Sequence, residues 1–556
     1  MRLRNLWTIP VSILLLAACS SEMVTDSTTP CEGTDAVSYA RLNVNLPTVP
    51  ATRAYTPDAG DEAEYKVKDD PRIFIFEKVA AATSENDYTF LYEAQPTEWI
   101  KPFDSSVTGG DTDAHTGTKT DPEYKGTESF IVKLNTKARD LYALVVLNGA
   151  NISAPSANEK FGDYNAALSM MTEDKYNDNY TNFVGNADNG FVMANAANSV
   201  SAGTDADPTV LVPLTTYNSP TAAKAPAAGN TVFVERSAVK VTVRNDKTSY
   251  ELKSDANVTV TPLAWTLTNT NLKMYPFHRV DGLKNNYSAI WTLPRFLGNI
   301  SYEGFRRTMW ATDPNYAMDL TTEFHVATAS DVTAAFSTSA TENPLYCAEN
   351  TFDIAHMKKG QTTAVIIKAR LATRATTSAN VYGVQGHVYS EDVAKEVVAK
   401  NASTIFGTEV SAENVDLSSL LGKEKATLTD QNFTGITTPT TDQLKQLNAV
   451  IGPITVYKDG ICYYIGYIRH FDDETPWKSG EDRYGTGDDA NKNYLGRYGV
   501  VRNNWYDLTI QDFAYPGSPD IPTPDPTAPD DDNSTIVLSV KVNPWAKETT
   551  KLVPLE

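Results

Sequence analysis

The sequence predicts a mainly β protein built as two domains. Three observations carry that expectation. At 556 residues the chain is longer than one hydrophobic core organises. Short apolar or alternating runs recur between breaks rich in Gly, Pro and Asn. Only Ser390–Lys400 and Thr441–Val450 have marked helix character, each opened by a Ser or Thr in N-cap position.

Composition narrows the function classes. The formal net charge is -21, which argues against nucleic acid as a partner and for solubility by self-repulsion. With 4 cysteines, a disulfide framework does not hold the fold.

In chain order, Arg2 and Arg4 precede an apolar stretch, Leu6–Leu16, too short to span a bilayer stably. Leu16-Ala17-Ala18-Cys19 then reads as a lipobox, predicting a signal peptide over 1–18 and lipid on Cys19. An ordinary secretory signal with an incidental cysteine is the alternative. A polar tether follows, and then a strand in which Ala40, Leu42, Val44 and Leu46 share one face and Tyr39, Arg41, Asn43 and Asn45 the other. Pro47, Pro50 and Pro57 frame an exposed loop around Arg53, which suits a protease cleft and predicts cleavage between Arg53 and Ala54. Residues 19–53 would then form a propeptide that carries the first strand away with the lipid.

The first domain is expected over 54–250. Ile73–Phe76, Phe130–Leu134 and Leu141–Leu147 are near-continuous apolar strands, while Val239, Val241 and Val243 alternate with Lys240, Thr242 and Arg244 as a one-sided strand. Ala166–Met171 is a short helix whose two methionines read as core filler. The polar, turn-rich stretch Asn245–Asn257 marks the boundary. The second domain, 251–515, opens near Val258–Trp265, carries strands at Thr363–Ala369 and Ile461–Ile468, and closes on Trp505–Ile510.

Residues 516–533 hold Pro516, Pro519, Pro522, Pro524, Pro526 and Pro529 among aspartates, a composition that favours an extended polyproline II spacer. The segment 534–556 follows. In it Ile536, Leu538, Val540 and Val542 alternate with Val537, Ser539 and Lys541, and Trp545 follows Pro544. A lone strand has no stability in water and must pair with an existing sheet edge, in its own molecule or in a neighbour.

The search for catalytic chemistry finds little. His115, His278, His325, His356, His387 and His470 are scattered singly, without metal-ligand spacing. Asp472-Asp473 and Asp488-Asp489 read as solvated loop acids rather than a glycosidase pair. The stretch Glu481–Asn491 lacks the spaced ligands of a calcium loop. No catalytic residue, metal or cofactor is therefore expected. Cys347 and Cys462 lie in strand-like segments, either paired or as buried free thiols.

Several of these fragments, taken in order, resemble the fimbrillins of Bacteroidia, the subunits of type V pili. They are the lipobox, the Arg53-Ala54 loop, Arg72–Phe76, Asp140–Leu147, Val234-Glu-Arg-Ser-Ala-Val-Lys-Val241, Tyr346–Thr351, Lys359–Lys368, Tyr498–Tyr506 and Val542-Asn-Pro-Trp545. The likeness is strongest to the shaft subunit of the minor (short) fimbrium. Ser237 departs from the family, where alanine is common, and the insertions near 105–127 and 275–320 match no motif.

The resemblance implies two β-sandwich (transthyretin-like) domains with a few short helices and an extended C-terminal donor strand. It implies a precursor held in the outer membrane by lipid alone, cutting by an arginine-specific protease, and head-to-tail joining of subunits by strand exchange. In that joining Ile536, Leu538, Val540, Val542 and Trp545 would replace Ala40, Leu42, Val44 and Leu46 of the next subunit. Anchor and tip subunits, and host or bacterial receptors, would be the further partners. A tip-associated subunit, a glycan-binding surface lipoprotein and a glycan hydrolase are the competing expectations.

Overall fold

The structure is a computed structural model and describes residues 37–45, 48–49, 67, 70–101, 103–104, 116–117, 127–135, 140–168, 185–186, 190–197, 208–225, 229–283, 310–315, 322–338, 341–374, 379–421, 423–470, 496–530, 535–544 and 547–548. The chain is mainly β. Two large sheets each bury a separate core, and a smaller unit with its own core interrupts the second sheet.

Among the described residues the first sheet has nine strands: β1 (Ser38–Asn45), β2 (Arg72–Glu77), β3 (Thr89–Ala94), β4 (Pro96–Lys101), β5 (Thr127–Leu134), β6 (Leu141–Leu147), β7 (Met193–Asn195), β8 (Val212–Pro213) and β9 (Asn230–Arg236). Their spatial order is β3-β2-β6-β7-β9-β1-β5-β4, with β8 paired to β6. The apolar runs of β2 and β6 are buried on both faces, as continuous hydrophobic strands must be. One face packs with β1 and β5, while the other, through Phe74 and Phe76, meets the short helix α1 (Phe161–Leu168). Ring contacts continue from there into the second half of the chain, where Tyr164 stacks on Phe277 with centroids 5.6 Å apart.

The second sheet contains β10 (Val239–Arg244), β11 (Tyr250–Leu252), β12 (Asp255–Thr268), β13 (Leu345–Cys347), β14 (Ala364–Thr373), β18 (Ile461–Tyr467), β19 (Asn504–Phe513) and β20 (Ile536–Pro544). Its order is β13-β10-β19-β11-β12-β14-β18, with β20 paired to β19. Between β14 and β18 the chain builds the inserted unit, in which β15 (Val381–Val384), β16 (His387–Ser390) and β17 (Thr455–Tyr457) form a small sheet under helices α2 (Glu391–Phe406) and α3 (Thr441–Ile451). Helix α3 starts from Thr440, whose side chain accepts from the Gln443 backbone N–H in a reciprocal capping box.

Three expectations need correction. Val239–Arg244 lies in the second sheet, so the chain changes sheets at Ser237-Ala238, ahead of the stretch Asn245–Asn257 that was expected to separate the domains. Nor is that strand one-sided. Lys240 and Thr242 are buried as well, because the Lys240 ammonium pairs with Glu342 at 2.6 Å over the Trp505 ring, and Thr242 donates to Asp507 at 2.7 Å. A charged residue on an alternating strand signals solvent only when nothing inside the protein satisfies it.

The third correction concerns the proline-rich stretch, which is strapped to its own domain rather than held out as a spacer. Ser518 and Tyr463 exchange backbone hydrogen bonds of 2.9 and 2.8 Å, Lys359 N–H donates to Ala528 O at 2.8 Å, and Asp530 N–H to Met357 O at 3.1 Å. Gly517 permits the close approach, since a Cβ there would sit 2.6 Å from the Tyr463 carbonyl oxygen.

Candidate functional site

Strand β1 occupies an interior slot. It runs antiparallel to β5 from Ser38↔Leu134 to Asn45↔Thr127, and parallel to β9 from Leu42↔Asn230 to Asn45↔Phe233. Ala40, Leu42 and Val44 are each 0% exposed, packed in one cluster with Phe130, Val132, Val232 and Val234. Three buried aliphatic positions of this kind stabilise by about 1 to 3 kcal/mol each, the smaller value for alanine. The outward face is half-buried: Tyr39 exchanges backbone bonds with Tyr217, and Asn43 accepts from Arg41 at 3.0 Å and from Ser129 at 2.7 Å.

Strand β20 sits differently. Among the described residues its one ladder is antiparallel with β19, from Phe513↔Ile536 to Asn504↔Pro544, with one bulge. Ile536 and Val540 are buried in the core of the second sheet, and Leu538 packs partly against it. Gly466 on β18 makes room for Leu538, because a Cβ there would lie 2.3 Å from Leu538 Cδ1. Val537 on the other face is 41% exposed, and Ser539 accepts a hydrogen bond from Gln511 at 2.8 Å. The alternation read from the sequence is therefore correct in phase, and the strand lies on its own domain's sheet. The short strands Thr48–Val49 and Lys547–Glu548 pair in parallel, so the segments beyond β1 and β20 meet.

A buried polar junction joins the two sheets. His278 Nδ1 lies 2.8 Å from a Glu235 carboxylate oxygen, and the Arg502 guanidinium grips Glu349 at 2.9 and 3.0 Å. Arg502 also donates to the carbonyls of Pro276 and Tyr275 at 2.9 and 2.6 Å. Arg236 donates to Asn503, whose positive φ of 58° turns the chain and aims its N–H at Ala238 O, 2.7 Å away. Ser237, where alanine was the family expectation, donates its hydroxyl to Pro276 O at 3.0 Å. Nearby, Asp313 accepts from Asn271, Asn315 and Thr351, while burial raises its carboxyl to about 7. Three motifs far apart in sequence, 234–241, 346–351 and 498–506, thus converge on one joint. No local signal reveals this, because each motif supplies half of a partnership completed elsewhere.

Cys19, Leu46, Arg53, Ala54 and Trp545 lie outside the described residues, as do Met170, Met171, His115 and the acidic pairs at 472–473 and 488–489. Val542 is placed by its backbone, opposite Tyr506. Cys347 and Cys462 are buried free thiols, which settles the alternative left open by the sequence, and burial pushes both thiols up.

Residues 455–551 match the family described as "Major fimbrial subunit protein type IV, Fimbrillin, C-terminal". That span opens on β17 and takes in β18, β19 and β20. No curated protein matches the chain in sequence. Similar solved structures include a candidate cell adhesion protein from Parabacteroides distasonis, with 13% identity over 92% of this chain and 98% of that one at a TM-score of 0.36. Another is a candidate cell adhesion protein from Bacteroides eggerthii, with 11% identity over 94% and 99% and a TM-score of 0.34. A third is the tip fimbrial protein Mfa3 from Porphyromonas gingivalis, with 11% identity over 91% and 98% and a TM-score of 0.32.

Proposed function

We propose that this chain is a structural pilus subunit of the fimbrillin type, polymerising by strand exchange at the cell surface. The observation that carries the reading is the contrast between an apolar strand in an interior slot and a strand of the same alternation at a single-ladder edge. The C-terminal fimbrillin match, which contains that edge strand and its partner, supports it. In this reading the precursor is exported with lipid on Cys19 and resides in the outer membrane until a protease cuts between Arg53 and Ala54. Loss of 19–53 empties the β1 slot. Ile536, Leu538, Val540 and Val542 of another subunit then enter it, and Trp545 anchors the far end.

The energetic logic is local. A strand leaving β19 gives up one ladder and, in the slot between β5 and β9, regains ladders on two sides together with full burial of its apolar face. Cutting after Arg53 also removes Thr48–Val49, the partner of Lys547–Glu548, and so loosens the tail that must move. Register in the slot is strict, because a one-residue slip would bury Ser539 and Lys541. A shaft position is favoured over an anchor position because the chain carries a donor segment of its own, with a tip-associated subunit as the alternative. The partners are identical or related subunits, anchor and tip subunits, the protease, and surface receptors that support adhesion and biofilm formation.

Sequencing the N-terminus of the surface-assembled form tests lipidation, processing and assembly together, and Ala54 is the expected first residue. Arg53→Ala should leave uncut, lipid-bearing monomer. Deleting 534–556 should give processed subunits that cannot join; SDS-resistant ladders formed by that truncation would show that the joining strand lies elsewhere.

A further inference from the structure

Where the inserted unit meets the second sheet there is an open cleft of about 620 Å³ that the strand-exchange reading does not use. Its walls come from the start of β12, the end of β14, strand β16 and the first turn of α2, and include Asp255, Asn257, Arg374, His387, Tyr389 and Ser390. These walls are preformed. Arg374 N–H donates to Asn257 O at 3.0 Å, Val258 pairs with Thr373, and Val381 pairs with Ser390. Seams between separately cored units are common places for small-molecule sites.

We propose that this cleft binds an uncharged saccharide. The His387 and Tyr389 rings lie 6.0 Å apart, tilted by 47°, and His387 is exposed, which gives an aromatic surface for the apolar face of a sugar ring. Around the rings stand a carboxylate, an amide and a guanidinium, which supply hydrogen-bond donors and acceptors for hydroxyl groups. One Asp255 oxygen is fixed by the Asn257 N–H at 3.1 Å. The other is 3.7 Å from His387 Nδ1, too far for a direct hydrogen bond and open to an intervening hydroxyl.

Beneath the cleft Ser390 holds the N-cap position of the 16-residue helix α2, yet its hydroxyl makes no cap bond and has no partner, although the residue is 2% exposed. A buried hydroxyl without a partner is costly, and a ligand hydroxyl within reach after a side-chain rotation would satisfy it.

Charge selects against an anion. Asp255 lines the cleft, Glu391 and Asp392 occupy the first turn of α2, and the Arg374 guanidinium is engaged by Glu251 at 2.9 Å. The inference goes beyond strand exchange and does not depend on it, so monomer and polymer should bind alike.

The test uses purified full-length monomer against immobilised neutral oligosaccharides ending in galactose, mannose or N-acetylglucosamine, with sialylated counterparts, followed by calorimetry on the best binder. We expect at least one neutral glycan to bind. Tyr389→Ala and Asp255→Asn should each weaken it about tenfold, the scale of one aromatic or polar contact, Asp255→Asn without lowering the melting temperature and Tyr389→Ala, which also trims the insert's core, at a temperature where the protein is folded. His387→Ala, at an exposed position, serves as a third variant should Tyr389→Ala unfold the insert. Binding to none of the panel, binding only to the sialylated glycans, or wild-type affinity in the folded variants would overturn the proposal.

Discussion

Strands β1 and β20 carry the same alternation of apolar and polar residues and live in different mechanical situations. β1 is hydrogen-bonded on both sides, to β5 and β9, and its inward residues are completely buried. Among the described residues β20 is bonded to β19 alone, keeps Val537 in solvent, and buries Leu538 only in part. An interior strand cannot leave without opening two ladders at once, whereas an edge strand peels from one end, a ladder bond at a time. The two positions therefore differ in the barrier to leaving: β1 would have to open two ladders together, and β20 one.

The sharpest way to break this comparison is to place the same change in both strands. Leu42→Asp puts a carboxylate where exposure is zero and should cost at least about 4 kcal/mol, leaving the uncut precursor unfolded or aggregated. Leu538→Asp, at a half-buried edge, should cost only about 1–2 kcal/mol in the monomer while abolishing assembly. Equal losses in the two unfolding curves would mean that the strands are not mechanically distinct.

A subtler change sharpens it. Gly466→Ala crowds Leu538 and should destabilise the β20 edge by about 1–3 kcal/mol with no effect on β1. Amide hydrogen exchange should rise across residues 536–540 and stay slow across 38–45. If β20 must leave this edge in order to assemble, the same substitution should hasten polymerisation of cut subunits; slower assembly would point against release as a necessary step.

The smallest expected effect separates the first half of the chain from the second by pH. Glu85, which accepts the backbone N–H groups of Val210 and Leu211, is raised to about 7 by burial. A carboxyl raised above its unfolded value of about 4.5 contributes stability that is present at low pH and lost as pH climbs to about 7. Asp313 adds a second contribution of the same sign. The melting temperature should fall by a few degrees between about pH 5 and pH 8. Glu85→Gln should flatten that slope, and an unchanged slope would assign it to Asp313 and to Glu128, whose carboxyl burial raises to about 9.

Much of the chain was legible because strand pattern is a local property. The phases of β1 and β20, the buried runs of β2 and β6, and the helix near 390 follow from side-chain period, and the helix at 441 from its period and its Thr440 cap. Sheet membership was not legible at Val239–Arg244, since alternation says which face is apolar and nothing about which sheet receives it. The inserted unit was hidden for a similar reason: its two helices were evident, but β15, β16 and β17 are short, and their shared core assembles residues from 382 to 456.

By itself, then, the sequence determined that this is a mainly β chain with two matching apolar strands near its ends and a proline-rich connector before the second. Those features depend on residue type and spacing within a dozen positions. Only the tertiary structure decided that β1 is interior and β20 an edge, that Pro516–Pro529 is strapped down by Tyr463 and Lys359, and that Glu235, His278, Glu349 and Arg502 meet. Each of these is a pairing across scores of residues, fixed by which buried polar groups find partners and which edges are left open once the whole chain has packed.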